Sequence, residues 1–269
     1  MFKNPSFATG FAVIALVALG AALAGHATGY EFDAINMSEV LKSPSRANWL
    51  GTDQYGRDLF TRVLFGARIA LRVGFIAVAI ESLIGVTLGL ISGYLGGYVE
   101  RAILFVTDLT WAMPPVILAM AIVTVLGPSV NNVAVSIAVV SWAQFTRVVR
   151  AKTLSLKELP YIEAAESIGE SGLSILVRYI LPNVAPSIIV LATLSLPSAI
   201  MSTTALGFLG LGAQPPTPDW GVMLSEGISY IEDASWLSVF PGVAIVVLVV
   251  GFNFLGEGLR ELIDPRIKL

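Results

Sequence analysis

The sequence lacks cysteine altogether and contains a single histidine, His26, among 269 residues. Without cysteine there can be no disulfide framework, thiolate zinc site, iron–sulfur cluster or cysteine nucleophile, and a lone histidine argues against most other metal sites. Charge is also scarce, since Asp, Glu, Lys and Arg make up 13% of the chain, against roughly 25% in a soluble domain. The net charge of −3 is too small to indicate a nucleic-acid partner. We therefore expect neither a catalytic nor a metal site.

The sequence instead contains long runs of apolar residues. Hydrophobic residues make up 55% of the chain, and its mean hydropathy is +0.80. One helix needs about 20 apolar residues to cross a bilayer, where its backbone polar groups must be satisfied internally. The pattern predicts an all-α membrane protein with six transmembrane helices. The predicted spans are residues 7–25, 73–95, 102–126, 133–149, 184–205 and 237–255.

The first span also resembles a secretory signal peptide. Lys3 precedes it, and the triplet Ala22-Leu23-Ala24 has the small-x-small form of a cleavage site. Its apolar run is longer than the core of a typical signal peptide, so we interpret it as an uncleaved transmembrane helix.

The distribution of Lys and Arg predicts the orientation. With the N-terminus in the cytoplasm, ten basic residues lie inside and six outside, in the sense that the positive-inside rule requires. The last external loop, residues 206–236, carries four acidic residues and no basic one. Both termini are therefore expected in the cytoplasm. The ten inner residues are Lys3, Arg101, Arg147, Arg150, Lys152, Lys157, Arg178, Arg260, Arg266 and Lys268.

Residues 49–72, before the second span, have a helical pattern of their own. Leu59, Phe60, Val63, Leu64 and Ala67 recur at helical spacing with polar residues between them. The pattern predicts an amphipathic external helix on the membrane surface, which is either a scaffold leading into the second span or a gate or docking element. The chain then divides into residues 1–72, with the first span and this segment, and residues 73–269, a five-helix core.

Small and charged residues mark the second and third spans. Gly85, Gly89 and Gly93 stack on one helical face and predict close packing with another helix. Glu81 and Asp108 are intramembrane carboxylates, which are costly unless they face protein or water, so each either is structural or lines a substrate path or gate.

Prolines predict two bends. Pro114-Pro115 in the third span and Pro197 in the fifth should kink their helices, as membrane spans tolerate and moving gates can use.

Residues 155–182 form a predicted cytoplasmic segment with a short helix. Ser155 and Glu158 make a capping box, and Pro160 falls in the first turn. Gly169 either ends the helix or allows another backbone to approach. One face is apolar, with Leu159, Ile162, Ala165 and Ile168, and another is acidic, with Glu163, Glu166 and Glu170. Helix physics leaves two interpretations, a solvated loop helix or a docking element for a cytoplasmic motor.

This segment resembles the EAA signature of permease subunits in binding-protein-dependent ABC importers. The signature reads EAA, three residues, G, nine residues, I, one residue, LP, and here Tyr179 takes the place of the isoleucine. The matching residues are Glu163, Ala164, Ala165, Gly169, Leu181 and Pro182. Residues 51–68, 93–115 and 207–224 are similar to the C-type permease of the dipeptide, oligopeptide and nickel importers.

The resemblance implies a type I ABC importer permease fold, in which the helix from Glu163 to Gly169 is the coupling helix within an EAA loop at 150–182. It also implies four partners in the bacterial inner membrane or beside it: a homologous B-type permease, two cytoplasmic ATPases that hold ATP and Mg²⁺, and an extracytoplasmic substrate-binding protein. The chain has no phosphate-binding G-x-x-x-x-G-K-[ST] loop of its own. We therefore expect a transporter subunit without a cofactor and without enzymatic activity.

None of the residues identified above indicates which substrate is transported. Peptides are favoured over nickel, because a nickel path would be expected to be richer in His or Cys ligands. The remaining alternative is a proton-coupled secondary transporter that uses Glu81 and Asp108 as proton carriers.

Overall fold

The structure, a computed structural model, describes residues 4–263, and Lys3, Arg266 and Lys268 lie outside that part of the chain. The described residues are helical apart from connecting loops and one isolated bridge between Thr52 and Asp58. The helices are α1 (Pro5–Ala27), α2 (Leu59–Leu95), α3 (Gly97–Trp111), α4 (Pro115–Leu126), α5 (Val130–Lys157), α6 (Pro160–Ser167), α7 (Gly172–Ile175), α8 (Leu181–Phe208), α9 (Trp220–Ile228) and α10 (Trp236–Ile263).

Five helical segments are long and apolar enough to cross a membrane: α1, α2, α5, α10 and the continuous run Gly172–Phe208 that includes α7 and α8. The predicted third span corresponds to α3 and α4, which meet at an angle of 91° at the predicted Pro114-Pro115 bend, and the described residues hold up to six spans when this bent pair counts as one. Pro114 has an extended backbone and Pro115 begins α4, since a residue before proline is excluded from the helical region. Pro197 lies inside α8, which continues to Phe208.

The second span begins earlier than the sequence suggested. Asp58 caps α2, its carboxylate accepting hydrogen bonds from the Thr61 amide at 2.8 Å and the Thr61 hydroxyl at 2.7 Å. A separate helix on the membrane surface is therefore wrong, because residues 59–72 are the first turns of α2 and the boundary at residue 72 falls inside it. The physical reason is burial: Ala67, Ala70 and Val73 continue one packed face into the second span. The 37 residues of α2 extend about 55 Å at 1.5 Å per residue.

The long helices give the molecule two ends. We call the end where α2 and α5 finish, beside α6, the α6 end, and the end where α2 begins, beside α9, the α9 end. At the α6 end, the Asn4 amide donates a hydrogen bond to Glu261 at 2.6 Å, so α1 and α10 run antiparallel. The main apolar core lies between α2, α5, α8 and α10, and a smaller cluster lies under α6.

Candidate coupling site

The short helix α6 begins one turn later than the predicted capping box. Ser155 lies in the last turn of α5, where its hydroxyl donates to the Ala151 carbonyl at 3.1 Å. The capping box is therefore wrong, and α6 starts at Pro160 after Leu159, which provides no side-chain cap. Pro160 decides this start, because its ring keeps Leu159 extended and its missing N–H is not needed at the first helical position.

Gly169 ends α6 in a Schellman motif. Its backbone is left-handed, with φ of +84°, a conformation that costs other L-residues about 1–2 kcal/mol. The Gly169 amide bonds the Glu166 carbonyl at 3.0 Å, and the Glu170 amide bonds the Ala165 carbonyl at 3.1 Å, which is the paired pattern of that motif. A Cβ added at Gly169 would meet no atom of this chain within 4 Å. Of the two interpretations of this glycine, the structure supports the end of a helix.

The buried part of α6 is narrower than its apolar face. Ile162 and Ala165 pack into the small apolar cluster and are 0% and 4% exposed. Leu159 and Ile168, on the predicted apolar face, are 37% and 79% exposed. They flank the two ends of α6, which has only eight residues, and lie outside the cluster. The protein thus presents apolar side chains on α6 that none of its own described residues covers.

The exposed side of α6 carries the first two residues of the signature. Glu163 and Ala164 are exposed beside Tyr161, which is 41% exposed, whereas Ala165 points into the cluster. The result is an acidic and apolar surface about two turns long. This surface is the part of the α6 end that a partner could contact without disturbing the core.

Leu181 and Pro182, the end of the signature, open α8. A π-helical turn over Leu176–Ile180 joins α7 to α8, and such turns are frequent at functional sites. Pro182 lies in the first turn of α8, where a missing N–H is tolerated. Tyr179, which departs from the signature, directs its hydroxyl to Glu170 at 3.4 Å, just beyond the end of α6.

The three glycines of α2 lie against α5. A Cβ at Gly89 would lie 2.7 Å from the Val149 Cβ, and one at Gly93 would lie 2.6 Å from the Thr153 Cβ. A Cβ at Gly85 would overlap Phe145 in the same way. Side chains at these positions would therefore force α2 and α5 apart.

The two intramembrane carboxylates lie in different environments. Glu81 is 2% exposed, and the hydroxyls of Ser141 in α5 and Ser195 in α8 hydrogen-bond to its carboxyl group. Asp108 has a side chain that is 62% exposed and is paired with Arg147. Glu81 thus links three packed helices, whereas Asp108 lies on an open face of α3.

The α9 end is held together by buried charges. Asp53, Arg57 and Arg62 are 3%, 5% and 3% exposed. The Asp53 carboxylate accepts from the Arg57 Nε at 2.6 Å and lies 3.4 Å from the Arg62 Nε. Arg62 also donates to the carbonyls of Phe32 at 3.0 Å and Pro216 at 3.3 Å. Arg62 therefore joins the loop before α2 to the loop before α9.

Asp219 organises the second half of this end as the cap of α9. Its carboxylate accepts from the Gly221 amide at 2.8 Å and the Ala213 amide at 3.3 Å. Gly207 and Gly212 make room for it, since a Cβ at either would lie within 2.7 Å of a carboxylate oxygen. Burial raises the pKa of Asp219, and the amide donors oppose that rise.

Comparison with known proteins identifies the family. A family model described as "Binding-protein-dependent transport system inner membrane component" matches residues 85–269, which include α6 and the whole signature. The chain belongs to this family. It is a transport permease subunit rather than an enzyme, like its relatives.

Two relatives resemble the permease over most of its length. The dipeptide transport system permease protein DppC of Alkalihalophilus pseudofirmus is 44% identical over 99% of this chain and 88% of the relative. The glutathione transport system permease protein GsiD of Pectobacterium atrosepticum is 43% identical over 89% and 78%. A chain of the MetNI methionine ABC transporter in an inward-facing conformation superposes with a TM-score of 0.61 at 19% identity. It covers 76% of the permease and 96% of that chain, which confirms the type I importer permease fold.

Several residues that position the permease's elements escaped the sequence prediction. In the sequence, Asp53 and Arg57 look like ordinary charged residues of a loop. Their opposite charges and their separation of four residues were the available indication of an ion pair. Tyr94, which contacts Glu166 and Lys157, carried no signal at all, because the contacts join distant parts of the chain. Among residues 4–263 no group of three or more His, Asp or Glu side chains is arranged as metal ligands would be.

Proposed function

We propose that this permease forms, with a homologous B-type permease, the path by which an ABC importer takes up di- and oligopeptides. One observation carries the proposal: α6 is an exposed short helix that begins at Pro160 and is ended by Gly169. Such a helix gives an ATPase a defined element to contact. The named relatives, permeases for dipeptide and glutathione, support peptides over the nickel alternative.

The proposed assembly contains two ATPases, which bind ATP and Mg²⁺, and an extracytoplasmic substrate-binding protein. We place α6 in a groove of one ATPase, with Glu163, Ala164 and the exposed Tyr161 and Ile168 as its contact surface. Ala165, Leu181 and Pro182 act behind this surface, by seating α6 on the cluster and starting α8. Closure of the ATPases would move α6 and with it the spanning helices.

The orientation follows from the same arrangement. We place the α6 end in the cytoplasm, so that Arg147, Arg150, Lys152, Lys157 and Arg178 lie on the inner side. Of the basic residues at the opposite end, Arg57 and Arg62 are buried in the contacts with Asp53. Because these two arginines serve a structural purpose, their presence at the α9 end does not argue that this end lies in the cytoplasm. Both termini then lie in the cytoplasm.

The two carboxylates receive different roles. We assign Asp108, with Arg147, to the path or to its gate, because an exposed ion pair at a membrane helix needs water or protein in front of it. We assign Glu81 to helix packing, because its enclosure by α2, α5 and α8 leaves it no access to a path.

The proposal is tested by uptake of a labelled dipeptide in cells with and without the gene, in competition with longer unlabelled peptides and with nickel. We expect deletion to abolish uptake and peptides to compete. Unchanged peptide uptake with lost nickel accumulation would overturn the peptide assignment. A protonophore added while cellular ATP is held constant should leave uptake intact, whereas its loss would indicate proton coupling.

A further inference from the structure

Tyr94, in the last turn of α2, bonds to both sides of the connection that carries α6. Its hydroxyl donates a hydrogen bond to Glu166 Oε1, in the last turn of α6, at 3.2 Å. Its backbone carbonyl accepts from Lys157 Nζ, at the end of α5, at 2.7 Å, and the same ammonium lies 5.2 Å from the centre of the Tyr94 ring. The carbonyl is one of those that a helix end leaves without an internal partner, so the lysine satisfies it.

The ring of Tyr94 also contacts the start of α7. A Cβ added at Gly172, the first residue of α7, would lie 2.8 Å from Tyr94 Cε1 and 3.3 Å from its hydroxyl oxygen. The ring packs on the small apolar cluster that contains Ile162 and Ala165 of α6. One side chain in α2 therefore contacts the end of α5, α6 and the start of α7.

These contacts join α6 to a helix that is remote in sequence. The chain connects α6 directly to α5 and, through α7, to α8. A displacement of α6 would therefore move α5 and α8 through these covalent connections. Helix α2 follows only through contacts, and it is the helix that runs from the α6 end to the α9 end. It also packs on α5 through its glycines and holds α5 and α8 through Glu81.

We propose that Tyr94 is a positioning residue that makes α2 move with α6. The inference rests on the proposed coupling function. Glu166 supplies the charged acceptor, which strengthens the hydrogen bond from the tyrosine hydroxyl, and the ring fills the space between the elements that flank α6. Without Tyr94, α6 would still be pulled by an ATPase, but its displacement would reach α2 less completely.

The first test uses the complete importer with its binding protein in proteoliposomes, and measures both peptide uptake and ATP hydrolysis. Tyr94→Phe removes only the hydroxyl, and Tyr94→Ala removes the ring as well. We expect Tyr94→Ala to lower peptide taken up per ATP hydrolysed by more than about fivefold, because loss of the hydroxyl's hydrogen bond alone accounts for about that factor. Tyr94→Phe should have an intermediate effect. An unchanged ratio in Tyr94→Ala would overturn the proposal.

The matched control is Tyr98→Phe, four residues further on. Tyr98 is 84% exposed and its ring contacts Arg101, a contact that phenylalanine retains, so the ratio should equal that of the wild type. Glu166→Ala and the double variant with Tyr94→Phe complete a mutant cycle. The double variant should be no worse than the stronger single variant, whereas additive losses would show that the two residues act separately.

A second readout separates failure of this inference from failure of the proposed function. The cysteine-free chain accepts nitroxide labels at Leu83→Cys in α2 and Ser167→Cys in α6, both exposed positions. We expect Tyr94→Ala to broaden the distance distribution between the labels without nucleotide or peptide present. An unchanged distribution overturns the positioning role, even in an importer that proves to carry another substrate. A broadened distribution in a complex that takes up no peptide would refute only the peptide assignment.

Discussion

The left-handed backbone at Gly169 makes a graded prediction about the coupling helix. Because φ is +84° and no atom of the chain lies within 4 Å of an added Cβ, substitution here should act through the backbone and not through crowding inside this protein. Alanine should destabilise the end of α6 by about 1 kcal/mol, which lowers the population of the correctly ended helix about fivefold. Asparagine tolerates this conformation better, and valine tolerates it worse because its branched Cβ restricts the backbone.

Peptide uptake by cells that carry each variant checks the order, normalised to the amount of the permease in the membrane. We expect glycine to support the most uptake, followed by asparagine, alanine and valine, with tryptophan inactive although inserted. The control is the membrane level itself, which should stay constant because Gly169 is exposed. Equal losses for asparagine, alanine and valine would refute the conformational account, and would mean that the glycine is needed for direct contact with the ATPase. Normal uptake with tryptophan would refute a coupling role for this region altogether.

Three further predictions concern stability. Gly89→Leu should force α2 from α5 and destabilise the purified permease by about 1–3 kcal/mol; a thermal melt checks this, and an unshifted Tm would contradict the close packing. Asp53→Ala leaves two buried arginines without their carboxylate and should lower the free energy of unfolding by about 3–5 kcal/mol. Protease should then cleave the loops of the α9 end, whereas loops that stay intact would exclude a structural role for the ion pair. Because burial raises the pKa of Asp219, the unfolded chain loses this proton at lower pH than the folded chain, and stability should fall as pH increases from 3.8 towards the raised pKa. Asp219→Asn should flatten that fall, and an identical pH profile would contradict the burial of a costly carboxylate.

Much of this architecture was predictable because the bilayer imposes a simple rule on composition. The apolar runs located both ends of α1 and α8 and the starts of α5 and α10 to within three residues, whereas α5 and α10 extend eight residues past the predicted ends. Pro160 and Gly169 marked the beginning and end of α6 through their backbone preferences, which depend on the residues themselves and not on their surroundings.

The errors arose where tertiary contacts override local patterns. Residues 59–72 have the amphipathic pattern of a surface helix, but two of the polar residues among them, Thr61 and Arg62, are buried in protein contacts instead of facing water. Ser155 and Glu158 satisfy the capping pattern, yet α5 simply continues through Ser155 until Pro160 prevents it. The role of Tyr94 could not be predicted, because its partners are 63 and 72 residues away along the chain.

The central claim is that α6 contacts an ATPase, and cross-linking from this helix tests it most directly. A single cysteine at Ala164, exposed in α6, is compared with one at Ser229, exposed at the α9 end, in membranes that contain the complete importer. We predict that a short thiol-reactive photo-cross-linker attached to Ala164→Cys joins the permease to an ATP-binding subunit on illumination and that the same reagent on Ser229→Cys gives no such product. Absence of the product from Ala164→Cys, or its appearance from Ser229→Cys, would contradict the assignment of α6 as the coupling helix.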